Sequence, residues 1–257
     1  MSDKELIAPE YLSPSSVSTF NQCPLKFKYS KIDGLQDSGT EATMLGNFVH
    51  EVLEAMYGLA PDLRTQETAK VLARELWASK WSDEISTLIH DEKNLNRFRW
   101  TAWWCIENLW RLEDPALVIP HSVESHVRGE IGGVKIHGFI DRLAFENDTA
   151  TVTDYKTGKT PRKGDLNDRF FQLIIYTQLL ESVDIFAANN LVELLYLKDG
   201  IRFQKEINKE DINQITEKLQ STRVGIEERC KAGYFEPSTS FLCNWCGFKP
   251  ICPAWKR

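Results

Sequence analysis

At 257 residues, 42% hydrophobic and 26% charged, the chain can bury a sizeable core and is ordinary in composition for a globular protein. Its net charge of −6 argues against coating nucleic acid through bulk charge, and no run of about 18 apolar residues offers a membrane span. The opening MSDKELIAPE carries no secretory pattern, so a cytoplasmic location is expected, and there six cysteines read as metal ligands or buried thiols rather than disulfides.

In chain order, Met1 to Tyr11 reads as a leader with little structure. Ser13-Pro14-Ser15-Ser16 is a helix start, with serine as cap and proline in the first turn. Cys23-Pro24 separates that helix from a second short one. From Glu41 to Tyr57 the apolar spacing of Leu45, Phe48, Val49, Val52, Leu53 and Met56 predicts a helix. His50 lies off the centre of its apolar stripe, with Gly46 one turn earlier leaving room beside the imidazole. Thr65 to Trp81 and Glu92 to Leu112 are further helices. The latter carries Phe98, Trp100, Trp103, Trp104 and Trp110, with Arg97 and Arg99 among them. Aromatics at helical spacing are read as core, with base stacking as the alternative. Cys105 within this helix reads as a buried thiol.

Strand patterns begin at Leu117-Val118-Ile119 and continue through Val123 to Val127, and Gly132-Gly133 makes a turn. Val134 to Lys159 then reads as a hairpin whose tight turn is Asn147-Asp148. With that turn Leu143 faces Val152 and Asp141 faces Asp154, and Lys156 points the same way as Asp154. Like charges directly opposite are destabilising, so a divalent cation between the two carboxylates is the expectation, against a plain solvated hairpin face. A basic loop with Lys159, Arg162 and Lys163 follows. Asn167 to Leu180 is predicted as a helix, on which Gln172 and Tyr176, four apart, share a face. Leu191 to Leu197 is a strand, Asp199-Gly200 a turn into Ile201-Arg202-Phe203, and Lys209 to Lys231 a long helix. The order of elements suggests an α/β sandwich core with a helical N-terminal lobe.

Asp141 and Asp154 suit a hard cation such as Mg²⁺, and Lys156 could hold an attacking water or offset phosphate charge. His50 could add an imidazole ligand better suited to Mn²⁺. Cys243-x-x-Cys246 followed by Cys252 has metal-cluster spacing. On spacing alone, Cys230 could complete a structural zinc site. No phosphate-binding P-loop is present, so the chain carries no ATP motor of its own.

The set Gly46-x-x-x-His50, Gly138-Phe-Ile-Asp141-Arg142, Asp154-Tyr-Lys156-Thr-Gly158 and Gln172-x-x-x-Tyr176 resembles the RecB-type branch of the PD-(D/E)XK nuclease superfamily. Ile140 stands where the superfamily name has proline. The resemblance implies a restriction-endonuclease-like core, a mixed β-sheet flanked by helices. Residues 1–115 would be a helical region carrying Cys23 and His50, 116–235 the nuclease core, and 236–257 a cysteine-rich segment, all in one integrated domain. It implies a metal-dependent DNA exonuclease using Mg²⁺ or Mn²⁺, acting on single-stranded DNA or DNA ends in recombination, repair or CRISPR adaptation, with a helicase or recombination or CRISPR protein as partner. The alternative is a catalytically weak or inactive iron–sulfur DNA-binding or scaffold subunit of a nuclease complex. By resemblance His50, Asp141, Asp154 and the Tyr155 carbonyl are metal ligands, Lys156 is the catalytic lysine, and Gln172 and Tyr176 line the site and steady the DNA strand. Cys23, Cys243, Cys246 and Cys252 match the cysteines of the iron–sulfur subset, which implies a [4Fe–4S] cluster shielded by Trp245 and Trp255. Lys159, Arg162, Lys163 and Arg169 are candidate phosphate contacts.

Overall fold

The computed structural model describes residues 6–37, 39–162 and 166–255, with the backbone alone at 167. Its centre is a five-stranded sheet in sequential order, β1 (Pro120–Ile131), β2 (Val134–Glu146), β3 (Thr149–Lys156), β4 (Asn189–Tyr196) and β5 (Ile201–Glu206). The β3–β4 pair is parallel and the other three pairs are antiparallel. A parallel pair needs a crossover. Here it is made by the short helix α8 (Leu166–Arg169) and by α9 (Phe171–Thr177), and α9 packs on β3 and β4.

Both faces of the sheet are covered, which is why β4 is buried at every position from Val192 to Tyr196. On one face lie α1 (Pro14–Gln22), α9 and the long α10 (Lys209–Ala232). Val17, Phe20, Ile174, Ile215 and Leu219 pack there with Ile136 and Leu194. On the other face lie α3 (Glu41–Tyr57), α4 (Gln66–Leu76) and α6 (Glu92–Glu107). Val49, Val52, Phe98 and Ile106 pack there with Tyr155 and Leu195. Adjacent residues Leu194 and Leu195 thus serve opposite cores, as the two-residue period of a strand requires.

Local chemistry accounts for the helix starts. Thr40, Thr65 and Asp91 cap α3, α4 and α6 by accepting a main-chain N–H three residues on. Asn208 and Asp211 cap α10 reciprocally, and Gly233, at φ 66°, ends it in the left-handed conformation. Between α1 and α3 lies α2 (Pro24–Phe27). After α4 the chain makes one π-turn (Trp77–Trp81) and α5 (Ser82–Ser86), and α7 (Leu109–Leu112) follows α6.

The β2–β3 hairpin has the register that its turn chemistry predicts. Asn147 and Asp148 both take positive φ (49° and 63°), as a two-residue turn of this hand demands. The ladder then runs from Glu146↔Thr149 through Leu143↔Val152 to Arg142↔Thr153. Gly132 and Gly133, at φ 56° and 81°, close the β1–β2 hairpin the same way, with Ile131 opposite Val134.

Several expectations need correction. Of the leader read from Met1 to Tyr11, the described residues 6–11 form no helix or strand, yet Leu6 and Ala8 pack against the core, and Leu12, just after it, is buried and bridges to Ile136, donating to Lys135 O at 3.0 Å and accepting from His137 N–H at 3.0 Å. Leu117 and Ile119 are each 79% exposed in a turn, and the strand starts at Pro120. Asp114 holds that turn by accepting the Ala116 N–H at 3.0 Å. Among the aromatics of α6, Phe98 is core, but Trp100 and Trp104 are 73% and 49% exposed, because α3 and α4 cover only part of that helix. The helix predicted from Asn167 to Leu180 is broken at Phe170 between α8 and α9. Cys105 is fully buried, and burial pushes its thiol up to about 11.

A candidate metal centre at the end of the central strands

Asp141 sits where the β2–β3 ladder stops. One residue further on, the Tyr155 main-chain N–H donates to the Asp141 carboxylate at 2.9 Å instead of to a backbone carbonyl. The last paired residues beside it are held by a buried network. The Arg142 guanidinium, 3% exposed, donates to Glu113, to Tyr57 Oη at 2.7 Å, and to Thr153 and Glu193 at 3.3 Å each. Arg202 on β5 reaches the same two carboxylates at 3.2 Å. Such a network stabilises chiefly by leaving no buried charge unpaired. It ties β2, β3, β4 and β5 together and fixes the backbone that carries Asp141.

His50 reaches this strand end from α3. Its Nε2 donates to the Tyr155 carbonyl at 2.8 Å, and its Nδ1 lies 3.4 Å from Asp141 Oδ2. Burial alone would lower the imidazole, but Asp141 and Asp154 raise it to about 9. Gly46 does not make room for the ring. A Cβ there would meet Thr157 Oγ1 at 3.6 Å, an ordinary contact.

Asp154 is buried and is drawn to Lys156, whose Nζ is 2.6 Å from Oδ2. That ammonium is the partner of the buried Oδ2. Burial, then repulsion from Asp141, pushes the Asp154 carboxyl up to about 6, against the opposing pull of Lys156.

A third carboxylate joins these two. In the β1–β2 register Val123 faces Arg142 and Ser125 faces Ile140, so Glu124 falls opposite Asp141. Its φ of 46° is a conformation few side chains other than glycine adopt, and the strand departs from regular pairing there. Burial raises the Glu124 carboxyl to about 7, with Asp141 adding to the effect. His50, Glu124 and Asp141 each offer a ligand atom, all within 4.8 Å of one another. Glu124 was missed in the sequence because the hairpin arithmetic was applied to the Asn147-Asp148 turn alone. Extended across Gly132-Gly133, it places Glu124 beside Asp141. Asp154, expected as the partner of His50 and Asp141, is not in that group of three, since its carboxylate turns toward Lys156.

The donor set suits a divalent cation. Imidazole and carboxylates fit Mn²⁺, and carboxylates fit Mg²⁺. Glu124 and Asp141 beside each other, with Asp154 on the next strand, are a concentration of negative charge that a cation would neutralise.

Gln172 and Tyr176 stand on α9 beside this end of the sheet. The Gln172 amide donates to Tyr176 Oη at 3.1 Å. The Tyr176 ring covers Gly138, where an added Cβ would lie 2.5 to 2.9 Å from ring atoms. Lys159, Arg162 and Arg169 are exposed, and Lys163 lies outside the described residues. The loop after β3 is anchored by Asp199, which accepts from the Thr160 N–H and hydroxyl at 2.7 Å each.

Cys23, Cys243, Cys246 and Cys252 are free and half-buried, whereas Cys230 is buried. Cys23 and Cys252 both pack against the α1-side core and both bear on the Tyr29 hydroxyl. Ser238 and Ser240 donate their main-chain N–H groups to Cys23 and Cys243 sulfur at 3.4 Å. Tetrahedral zinc, with Zn–S near 2.3 Å, needs sulfurs about 3.8 Å apart. Among the described residues no three cysteines lie within 4.8 Å of one another, so the cysteines are not gathered as a zinc site. Trp245 and Trp255 are 67% and 46% exposed and give this region little cover. Phe248, stacked at a tilt on Tyr29, is the buried ring there.

Comparison with known proteins gives one consistent picture. The family model described as the PD-(D/E)XK nuclease superfamily matches residues 11–253. A relative known as Gene 69 protein, from Mycobacterium phage L5, is 22% identical, with all of both chains covered. The Gene 69 protein of Mycobacterium phage D29 is 20% identical over 95% of this chain and 97% of its own. A crystal structure from Eubacterium rectale, described as "Putative exonuclease", superposes with a TM-score of 0.51. It is 13% identical and covers 91% of this chain and 86% of that one, a likeness of fold alone.

Proposed function

This chain belongs to the PD-(D/E)XK nuclease superfamily, and from that premise we propose that it is a metal-dependent DNA exonuclease of the RecB-type branch, acting on single strands or DNA ends. One observation carries the reading: His50, Glu124 and Asp141 each offer a ligand atom within 4.8 Å of one another, and Asp154, paired with Lys156, stands on the next strand. A cation bound there would act as a Lewis acid on the scissile phosphate and lower the pKa of a bound water.

The chain's own groups do the rest. Asp141 is fixed by the Tyr155 N–H, so its second oxygen remains for a ligand. Lys156 shares its ammonium with Asp154 in the free protein. Were Asp154 to hold a cation, that ammonium would be free to orient water and to offset charge on the phosphate. The Tyr155 carbonyl, held by His50, faces the same centre. Gln172 and Tyr176 brace the substrate side, and Lys159, Arg162, Lys163 and Arg169 contact DNA phosphates. A DNA-tracking motor in recombination, repair or CRISPR adaptation would be a separate protein.

Cys23, Cys243, Cys246 and Cys252 hold a [4Fe–4S] cluster in this reading. Its support is the motif resemblance, the four free half-buried thiols and the two main-chain N–H groups on sulfur. The cluster would join the helical N-terminal region, the core and the cysteine-rich tail into one domain. Protein purified without oxygen should be brown and contain iron and sulfide in equal amounts; colourless protein with stoichiometric zinc refutes the assignment.

The nuclease reading is tested by digesting end-labelled single- and double-stranded DNA with Mg²⁺ or Mn²⁺. Metal-dependent loss of label is expected from the native protein and not from Asp154→Ala. DNA binding without cleavage would favour a scaffold subunit instead.

A further inference from the structure

Behind α3, on the side away from the metal centre, lies a cleft of about 460 Å³, within the range of ligand-binding clefts (~300–1,000 Å³). Its walls are aromatic and its rim is cationic. Trp77, Trp100 and Trp103 line it, and so do Lys70, Arg74 and Arg99. Among the described residues no acidic side chain lines it. Trp100 is 73% exposed. The cations already lie over the rings: the Arg99 guanidinium is 4.6 Å from the Trp77 ring centre and Lys70 Nζ is 5.6 Å from that of Trp103. Arg99 touches one acid, Glu92, at 3.5 Å on the exposed rim.

We infer that this cleft binds single-stranded nucleic acid, stacking bases on the three tryptophans while Lys70, Arg74 and Arg99 meet its phosphates. Stacking surface interleaved with positive charge is what a single strand requires, because every base has an aromatic face and every linkage a negative charge. A purely apolar groove for a protein helix would not concentrate three cations in a chain of net charge −6. The placement deepens the nuclease reading and rests on it for its purpose. Phe48 lines the cleft and His50 faces the metal centre, two residues apart on α3. They therefore point roughly 200° apart around a helix ~10–12 Å wide.

The test uses the full chain in EDTA, so that nothing is cleaved, and a fluorescent thymidine oligonucleotide of ~12 residues. Trp100→Ala should weaken binding about tenfold while leaving the melting temperature and Mn²⁺ binding unchanged. Replacing Lys70 and Arg74 together with alanine should flatten the dependence of log K on log salt by about 1.4, or about 0.7 for each phosphate no longer neutralised. Photocrosslinks from 5-iodouracil should map to Trp77, Trp100 or Trp103. Native affinity in Trp100→Ala, or crosslinks outside the cleft, overturns the inference. A protein that binds through the cleft yet cuts nothing keeps this inference and loses the nuclease reading. One that cuts DNA but ignores the cleft does the reverse.

Discussion

Asp141 stands between two other carboxylates because both hairpins that share β2 close on two-residue turns with positive φ. Each turn sets a register, and the two registers bring Glu124 and Asp154 to either side of it. Burial first, and then repulsion from Asp141, raises the carboxyls of Glu124 and Asp154. Removing one carboxylate should therefore cost metal affinity more than stability. Glu124→Gln keeps the shape of the side chain and should weaken Mn²⁺ binding at least about tenfold by calorimetry, or ~1.4 kcal/mol. Unchanged affinity would remove Glu124 from the metal centre. Lys156→Ala should behave differently, retaining Mn²⁺ binding while cleavage falls roughly 10²–10³-fold, the size of loss expected for one charge-stabilising donor.

Among the elements, the strand end and the helix across it are fitted to each other at Gly138. Any side chain there meets the Tyr176 ring at under 3 Å, so Gly138→Ala must push Tyr176 out of place. Overpacking of this kind costs about 1–3 kcal/mol. A lowered melting temperature and slower cleavage with native Mn²⁺ binding are expected. The loop after β3 makes a second prediction. The Thr160 N–H and hydroxyl hold the Asp199 carboxyl below its ordinary value. A carboxylate depressed in the fold stabilises above its unfolded pKa of about 3.9, and that stability is lost as pH falls through the lower folded value. Asp199→Ala should thus melt below the native protein at neutral pH, by no more than about 1 kcal/mol after solvent screening, and converge with it in acid. Melting curves at several pH values decide this.

Elements with strong local chemistry were legible in the sequence. The helix Glu41–Tyr57 has a threonine cap and an unbroken apolar stripe, and Asn147-Asp148 is a turn whatever surrounds it. What was not legible depended on neighbours. Leu117 and Ile119 have strand-forming side chains but no strand to pair with before Pro120. The spacing of Trp100 and Trp104 shows a helix but not how much of it α3 and α4 will cover. Glu124 comes beside Asp141 only through the second turn, Gly132-Gly133, which sets the β1–β2 register.

For the molecule as a whole, the chain ends meet on the α1 side of the sheet. Leu25 donates its N–H to Glu236 O at 3.1 Å, and Tyr29 Oη to Ile251 O at 3.4 Å. A cluster on Cys23 and the C-terminal cysteines would fasten this contact, so Cys23→Ser should lose iron and melt at a lower temperature. Native iron content in that variant would remove Cys23 from the ligand set. None of the described helices is long and apolar enough to cross a membrane. With both sheet faces covered by helices, the strand end that carries Glu124, Asp141 and Asp154 has His50 from one layer and Tyr176 from the other.

The central claim is that these three strands build a metal-dependent nuclease site. Its most direct test is release of label from end-labelled single-stranded DNA by native, Asp154→Ala and Lys156→Ala proteins, with Mn²⁺ or with EDTA. The account predicts release by the native protein with Mn²⁺ only, and a fall of at least about 10²-fold in both variants. Equal release by all three proteins, or release in EDTA, would contradict it.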